Sequence, residues 1–226
     1  MPLEWGITRP LLIRRERLEL GLGLRLLYAS DLHLRCNQGA EIATELLLVA
    51  RKVRPHAVLL GGDLVDTALA LPLLNGLLSS LTRLTTVAAV SGNHDALAGR
   101  SRIRDCVLSS GALWLEDRPM SLGDLTVAGA IEQAPRKGLW AFCGHYPTSF
   151  PQARKAGARL VLAGHLHGWQ VVFGQVGEYL YPGALLSRWN GLRFEREGST
   201  MLVSRGVTDY FPLRWNCPRE ILDIRL

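Results

Sequence analysis

Apolar runs that stop abruptly in polar, chemically capable residues recur along this chain. The clearest is Thr86 to Asp95, TVAAVSGNHD. Val87-Ala88-Ala89-Val90 is short, apolar and partly β-branched, which predicts a buried strand. It gives way to Gly92-Asn93-His94-Asp95, which sets a neutral oxygen donor, an imidazole and a carboxylate in consecutive positions. Open α/β sheets gather ligands at the carboxyl ends of their strands, so a strand that ends this way marks a candidate site. The pattern occurs five times. Leu24–Ser30 delivers Asp31-Leu32-His33, and Ala57–Gly62 delivers Asp63, with Asp66 three residues on. Leu139–Gly144 delivers His145, and Arg159–Gly164 delivers His165-Leu166-His167. Residues two apart in an extended segment point the same way, so Asp31 and His33 are expected to grip one object. His165 and His167 form a second such pair.

Helical periodicity fills the gaps in the first half. Gly39–Arg54 carries Ile42, Leu46, Val49 and Val53 along one stripe and is ended by Pro55. Ala68–Leu81 is a very apolar helix, expected to be sandwiched in the core, with a membrane-facing helix as the alternative. Arg100–Ser110 reads as a helix closed by Gly111. Residues 1–23 are a lead-in, with Arg17-Leu18-Glu19-Leu20 alternating as an edge strand. From Ala112 onward short strands (ALWLED, DLTVAGA) alternate with turns, which predicts an antiparallel or mixed second half. A short helix is expected at Gln152–Ala156, and Val171–Leu226 reads as glycine-punctuated strands ending in Glu220–Leu226. There is no internal repeat, low-complexity segment or linker, so residues 1–226 are expected to form a single domain.

Composition narrows the picture. A hydrophobic fraction of 48% supports a sizeable core. The net charge of +6 comes from 23 Arg and 3 Lys and favours anionic partners, though no basic run selects among phosphorylated substrates, nucleic acid and membrane surfaces. Cys36, Cys106, Cys143 and Cys217 lie far apart, which fits neither a disulfide framework nor a zinc-knuckle spacing. Cys36 and Cys143, near candidate histidines, are expected to be buried thiols without function. Arg14-Arg15-Glu16-Arg17 occupies the region where a signal peptide needs its apolar stretch. No run approaches the roughly 20 apolar residues of a spanning helix. The expectation is a cytoplasmic protein, at most attached to the inner face of the membrane.

Five of the six histidines, His33, His94, His145, His165 and His167, fall at predicted strand ends; His56 does not. Imidazole mixed with Asp31, Asp63 and Asn93, without a thiolate, is a donor set for borderline and hard divalent metals. These candidate ligands are too many for one tetrahedral ion and suit two ions sharing a carboxylate. Asp66 is expected to orient a ligand rather than to be one.

The motifs Asp31-x-His33, Gly62-Asp63-x-x-Asp66, Gly92-Asn93-His94-Asp95, Gly144-His145 and Gly164-His165-x-His167, in this order, resemble those of the calcineurin-like metallophosphoesterases. The resemblance implies an α/β fold, a four-layer α/β/β/α sandwich with two central mixed β-sheets. It implies that Asp31, His33 and His167 hold one metal, that Asn93, His145 and His165 hold the other, and that Asp63 bridges them. It also implies a catalytic role for His94 beside the leaving oxygen, oriented by Asp95. In such a centre two ions about 3.5–4 Å apart make hydroxide available at neutral pH for in-line attack on the phosphorus. Mn²⁺ ranks first, with Zn²⁺ and Fe²⁺ next. A tyrosinate-iron centre is disfavoured because Asp66 stands where that branch of the family has its tyrosine.

The carboxyl-terminal LVSRG, Pro212, Arg214 and PREILDIRL resemble a bacterial branch of membrane- or wall-associated phosphodiesterases and UDP-diacylglucosamine hydrolases. That branch reads GHTHGGQ where this chain has Gly164-His165-Leu166-His167-Gly168-Trp169-Gln170, so Trp169 stands at the lip of the expected site. The segment Ile131–Gly138 is short where relatives carry a longer loop. With Arg188-Trp189, these features lead to the expectation of a phosphorylated small-molecule or lipid-linked substrate, with Trp169 and Arg188 as substrate-binding residues and peripheral membrane contact. A nuclease or small soluble phosphodiesterase is the enzymatic alternative, and a non-catalytic scaffold the alternative of another class. Nucleic acid ranks below the small substrate because the arginines are scattered and no accessory DNA-binding domain is visible.

Overall fold

Alternate residues of the core strands enter different hydrophobic layers, and this alternation sets the architecture. The computed structural model describes residues 3–209 and 211–226; Met1 and Pro2, which begin the lead-in, lie outside the described residues. In chain order the first half contains β1 (Leu3–Trp5), β2 (Leu12–Arg17), β3 (Arg25–Ala29), α1 (Gly39–Val53), β4 (Ala57–Gly61) and α2 (Leu71–Thr82). It continues with β5 (Thr86–Val90), α3 (Asp95–Ala98), α4 (Arg100–Ser109) and β6 (Leu113–Trp114). The second half contains β7 (Met120–Leu122), β8 (Leu125–Ala128), β9 (Leu139–Cys143), α5 (Phe150–Lys155), β10 (Leu160–Ala163) and β11 (Gly174–Val176). After these come β12 (Tyr179–Tyr181), β13 (Arg193–Arg196), β14 (Ser199–Val203), β15 (Leu213–Trp215) and β16 (Glu220–Arg225).

Two six-stranded sheets result, ordered β2-β16-β3-β4-β5-β6 and β13-β14-β10-β9-β8-β7. Both are mixed. In the first, β3, β4, β5 and β6 run parallel while β16 is antiparallel to β3. In the second, β8, β9, β10 and β14 run parallel, with β7 and β13 antiparallel at the edges. Leu26, Tyr28, Leu59, Ala88 and Val90 point into the central layer, where they meet Val127, Ala141, Cys143, Leu160 and Leu162 of the second sheet. Their neighbours Leu27, Ala29, Val58, Leu60, Val87 and Ala89 face the other way, onto α1, α2 and α4. Trp140, Phe142, Val161 and Met201 face outward from the second sheet onto Phe150 and Ala153 of α5. The fold is therefore the expected four-layer α/β/β/α sandwich with two central mixed sheets, its fourth layer thinner than its first. Strands buried on both faces read as continuous apolar runs rather than alternating ones.

Local expectations are largely met. α1 ends at Arg54, whose left-handed backbone and N–H to Ala50 O close the helix just before Pro55. Along it Ala50, rather than the expected Val49, completes the buried stripe of Ile42, Leu46 and Val53. The apolar segment from Ala68 opens as a short 3₁₀ turn and becomes α2, which buries Leu74, Leu77, Leu78 and Leu81 in the first helical layer. It is a core helix. The edge strand lies earlier than expected. It is β2, parallel to β16, while Leu18 and Leu20 leave the ladder to fill the end of the central layer. Charge favours this pairing: Arg14 reaches across to Glu220 of β16 at 3.0 Å, and is flanked by Glu16 of its own strand at 3.2 Å. No helix among the described residues is long and apolar enough to cross a membrane.

Candidate metal centre

The candidate residues lie in the loops that leave β3, β4, β5, β9 and β10 at one end of the two sheets. Asp31, His33, Asp63, His165, His167, Trp169 and Gln170 all have left-handed backbones, with φ between 40° and 71°. Such conformations cost non-glycine residues about 1–3 kcal/mol each and persist only where their surroundings over-determine them. Here the surroundings do so. Asp31 N–H donates to Gly62 O at 3.0 Å, and His33 N–H to Asp63 O at 2.9 Å. Close glycines complete the arrangement. A Cβ on Gly92 would lie 2.1 Å from Asp63 Oδ1, and one on Gly62, at φ 87°, would lie 2.8 Å from His145 Nδ1. The expected pairing of alternate residues on an extended strand is therefore not how these side chains converge. Sharp loops aim them instead.

Three groups form. Asp31, His33 and His167 make one, Asp63, His145 and His165 another, and His33, Asp63 and His94 a third; within each group the donor atoms lie within 4.8 Å of one another. His165 and His167, two apart in sequence, thus face different groups, and Asp63 belongs to two of them. Asn93 joins the second group through Oδ1, 3.1 Å from His145 Nε2.

Hydrogen bonding fixes which ring nitrogens face inward. His145 Nδ1 lies 2.8 Å from Gly61 O, and His167 Nδ1 lies 3.1 Å from Thr208 O. A carbonyl only accepts, so both Nδ1 atoms donate and Nε2 is the ring nitrogen that faces inward. His33 Nδ1 likewise donates to Asp66 Oδ1 at 2.6 Å. The inward nitrogens of His33 and His167 then face each other across 3.4 Å as two acceptors. His145 Nε2 faces Asp63 Oδ2 at 3.3 Å and Asn93 Oδ1 at 3.1 Å. Converging lone pairs and carboxylates with their outer nitrogens anchored fit divalent cations and little else. The charges agree. Burial with the neighbouring Arg214 and His33, outweighing Asp31, pushes His167 down to about 4, so it is a neutral donor at physiological pH. Burial opposes a charge on His145, but its hydrogen bond to Asp63 and the charges of Asp31 and Asp63 outweigh that and raise it to about 9. The proton held there meets the same negative charge that a cation would.

Asp66 orients a candidate ligand, His33, as expected, whereas Asp95 differs in role from the expectation. Both Asp95 oxygens accept backbone N–H groups, those of Leu64 at 2.8 Å, Val65 at 3.3 Å and Gly92 at 2.8 Å, so this carboxylate ties the β4 and β5 loops together. Burial, reinforced by Asp63 and opposed by those N–H groups, lifts it to about 6. The carboxylate that faces the His94 ring is Asp66, 3.5 Å from Nδ1. Asp66 also takes Arg35 and His33; burial works against its charge, yet these partners hold it at about 2.

A cavity of about 320 Å³ opens over the groups, lined by Asp63, Asn93, His94, His165, His167, Trp169, Gln170 and Phe211 among others. Trp169 stands at its lip, 44% exposed, as expected. Arg188 does not. It lines a separate cleft with Phe150, Arg154 and Arg196, because Trp189 beside it is anchored on Phe150 and Phe194 at 5.5 and 5.3 Å. Ile131–Gly138 contributes none of the described residues lining the cavity. Cys143 is buried as expected, whereas Cys36 is exposed, since it precedes α1 in a surface turn. A larger hollow, about 670 Å³, lies at the other end of the first sheet among Arg17, Arg25, Arg54, His56 and Arg225, and includes none of the clustered residues. Sequence reading did not single out Phe211 or Thr208, and it met Gly206 only as the end of LVSRG, without a place at the centre. The polar and glycine-punctuated run around them carries no periodicity to mark it.

Comparison with known proteins fits this geometry. The model of the calcineurin-like phosphoesterase family matches residues 24–169. Phosphodiesterase YaeI of Escherichia coli (strain K12) is 26% identical over 223 residues, covering 89% of this chain and 82% of that protein. An uncharacterized metallophosphoesterase of Aquifex aeolicus (strain VF5) is 24% identical over 236 residues, covering 95% and 89%. The crystal structure of a dimetal phosphatase from Danio rerio superposes with a TM-score of 0.55 at 12% identity, covering 84% of this chain and 90% of that one. The chain belongs to the calcineurin-like phosphoesterases and is a metal-dependent phosphoester hydrolase.

Proposed function

We propose that this protein hydrolyses phosphodiester or pyrophosphate bonds with two divalent metal ions. Asp31, His33 and His167 hold the first, Asn93, His145 and His165 hold the second, and Asp63 is shared. The observation that carries this reading is the position of Asp63 between the two sets, its Oδ2 3.8 Å from His33 Nε2 on one side and 3.3 Å from His145 Nε2 on the other. Mn²⁺ is the metal we assign, with Zn²⁺ and Fe²⁺ as alternatives, because the donors are imidazole and oxygen without thiolate. Bound ions of this kind supply Lewis acidity toward phosphoryl oxygens and acidify water into a usable nucleophile.

The chain's own residues do the rest. Asp66 and the carbonyls of Gly61 and Thr208 keep three imidazoles in the tautomer that presents Nε2. His94 lines the cavity without a place among the six terminal ligands, and it protonates the leaving oxygen. Trp169 and Phe211 give the mouth an apolar wall, which supports a substrate with an apolar or planar group next to its phosphate. The exposed Leu185 and Leu186 extend apolar surface along the chain from Gly183, the residue on which Trp169 packs. This favours a lipid-linked nucleotide such as UDP-diacylglucosamine, reached by peripheral membrane contact.

Metal analysis of the purified protein is expected to find two ions per chain, and Asp63→Asn to lose both the pair and the activity. Full occupancy with unchanged turnover in that variant would remove the assignment. A panel of diester, pyrophosphate, monoester and single-stranded DNA substrates, with UDP-diacylglucosamine, tests the substrate class. Preference for DNA would identify a nuclease instead.

A further inference from the structure

The wall of the centre is completed by residues beyond the family match, within Ser204–Asp209 and Phe211–Cys217. Gly206 runs so close that a Cβ there would lie 3.0 Å from His167 Nδ1 and 3.1 Å from Asp31 Cβ. Thr208 is the point of contact. Its N–H donates to Asp31 O at 3.1 Å, its hydroxyl to Leu32 O at 2.9 Å, and its carbonyl accepts from His167 Nδ1. One residue therefore touches both loops of the Asp31–His33–His167 group.

What holds Thr208 in place is a buried cation. Arg214 is 1% exposed. Its Nη2 donates to Thr208 O at 2.9 Å and to Arg205 O at 2.8 Å, its Nη1 to Cys217 O at 3.1 Å, and its Nε to Asp209. The planar fork collects three carbonyls of one segment, a geometry that an ammonium cannot reproduce. A carbonyl oxygen has two lone pairs. On Thr208 one takes the guanidinium and the other takes His167 Nδ1–H, so the position of Arg214 is passed directly to the imidazole.

We propose that Arg214 is a positioning residue for the first metal: through the Thr208 carbonyl it fixes the ring of His167 and so sets that ion's affinity. The proposal rests on His167 being a ligand. Groups that orient ligands from behind typically change metal affinity by about 10–100-fold when removed.

The test is titration of the metal-free protein with Mn²⁺ alone, followed by calorimetry and by electron paramagnetic resonance. The wild type should take two ions and show a spin-coupled pair. Arg214→Lys keeps the charge but loses the fork, and should bind one ion as before and the other about 10–100-fold more weakly. An isolated Mn²⁺ signal should appear at substoichiometric metal. Asp209→Asn loosens only the Nε contact and should shift the same ion in the same direction by less, which covers failure of Arg214→Lys to fold. Arg219→Met is the control. This arginine is equally buried and bonds Val207 O and Glu45 but not Thr208, so it should lower stability without weakening one ion selectively. Two unaltered affinities in Arg214→Lys or Asp209→Asn, or the same selective loss in Arg219→Met, would overturn the role of Arg214. A wild type that binds no pair, or His167→Ala that binds both ions normally, would instead overturn the reading of the centre.

Discussion

At the scale of single residues, each imidazole is defined by what lies behind it. Asp66 is half of the environment of His33 and also faces His94. Asp66→Asn is expected to weaken metal binding by about 10–100-fold, read by competition with a chelator, while the secondary structure is unchanged. His94→Ala should differ in kind, keeping its metal and losing roughly two to four orders of magnitude in turnover. If metal content falls in step with activity, His94 is a ligand. The thiols offer a separate check on packing. Burial, aided by the charge of Glu116, pushes Cys143 up to about 12, whereas Cys36 is exposed. At pH 8 the thiolate fraction of Cys143 is on the order of 10⁻⁴. Iodoacetamide should therefore label Cys36 in the native protein and reach Cys143 only after unfolding, as peptide mass mapping would show. The sequence made the inward-facing residues legible because they end apolar runs. Asp66 orients His33 as expected, but it and not Asp95 also faces His94, because the acceptor of an imidazole N–H is set by loop conformation and not by adjacency in the chain.

At the scale of elements, the centre depends on how closely two strand-end loops can approach. Gly92 is the tightest point, directly against the carboxylate that belongs to two groups. Gly92→Ala should displace Asp63 and cost about 1–3 kcal/mol through overpacking. Circular dichroism should remain native while two-metal occupancy is lost; retention of both ions would show that the loop relaxes. The core strands were predictable to within a residue or so, since strands buried on both faces carry long apolar runs. The edge strand and the loop of Arg188 were not. Charge pairing to β16 favoured the first, and the aromatic anchor of Trp189 placed the second. Both partners are remote in sequence.

At the scale of the whole molecule, β16 carries two buried carboxylates. Glu220 is held by Arg14 and Arg205, and Asp223 by a two-point contact with Arg25 at 2.7 Å. Asp223→Asn should lower stability by about 1–3 kcal/mol, seen as a lower urea midpoint with an unchanged slope. The change from helix-rich to strand-rich patterning near Ala112 made the mixed second half legible, while the layer order was implied only by the family resemblance of the motifs. The closure of the first sheet was not, because nothing local in Glu220–Leu226 says which strands it will separate.

That closure bears on how the chain is made. Arg25 and Asp223 are 198 positions apart, yet they are partners across adjacent strands. During synthesis β3, β4 and β5 can assemble before β16 is made, and until then β3 keeps a bare, apolar edge. Exposed edges of this kind recruit other chains, and distant pairings form slowly. Thr208 and Arg214 also emerge late, so a ribosome-bound chain has the Asp31 loop without its wall. The nascent protein should therefore depend on chaperones until β16 is made, acquiring metal competence and resistance to aggregation together.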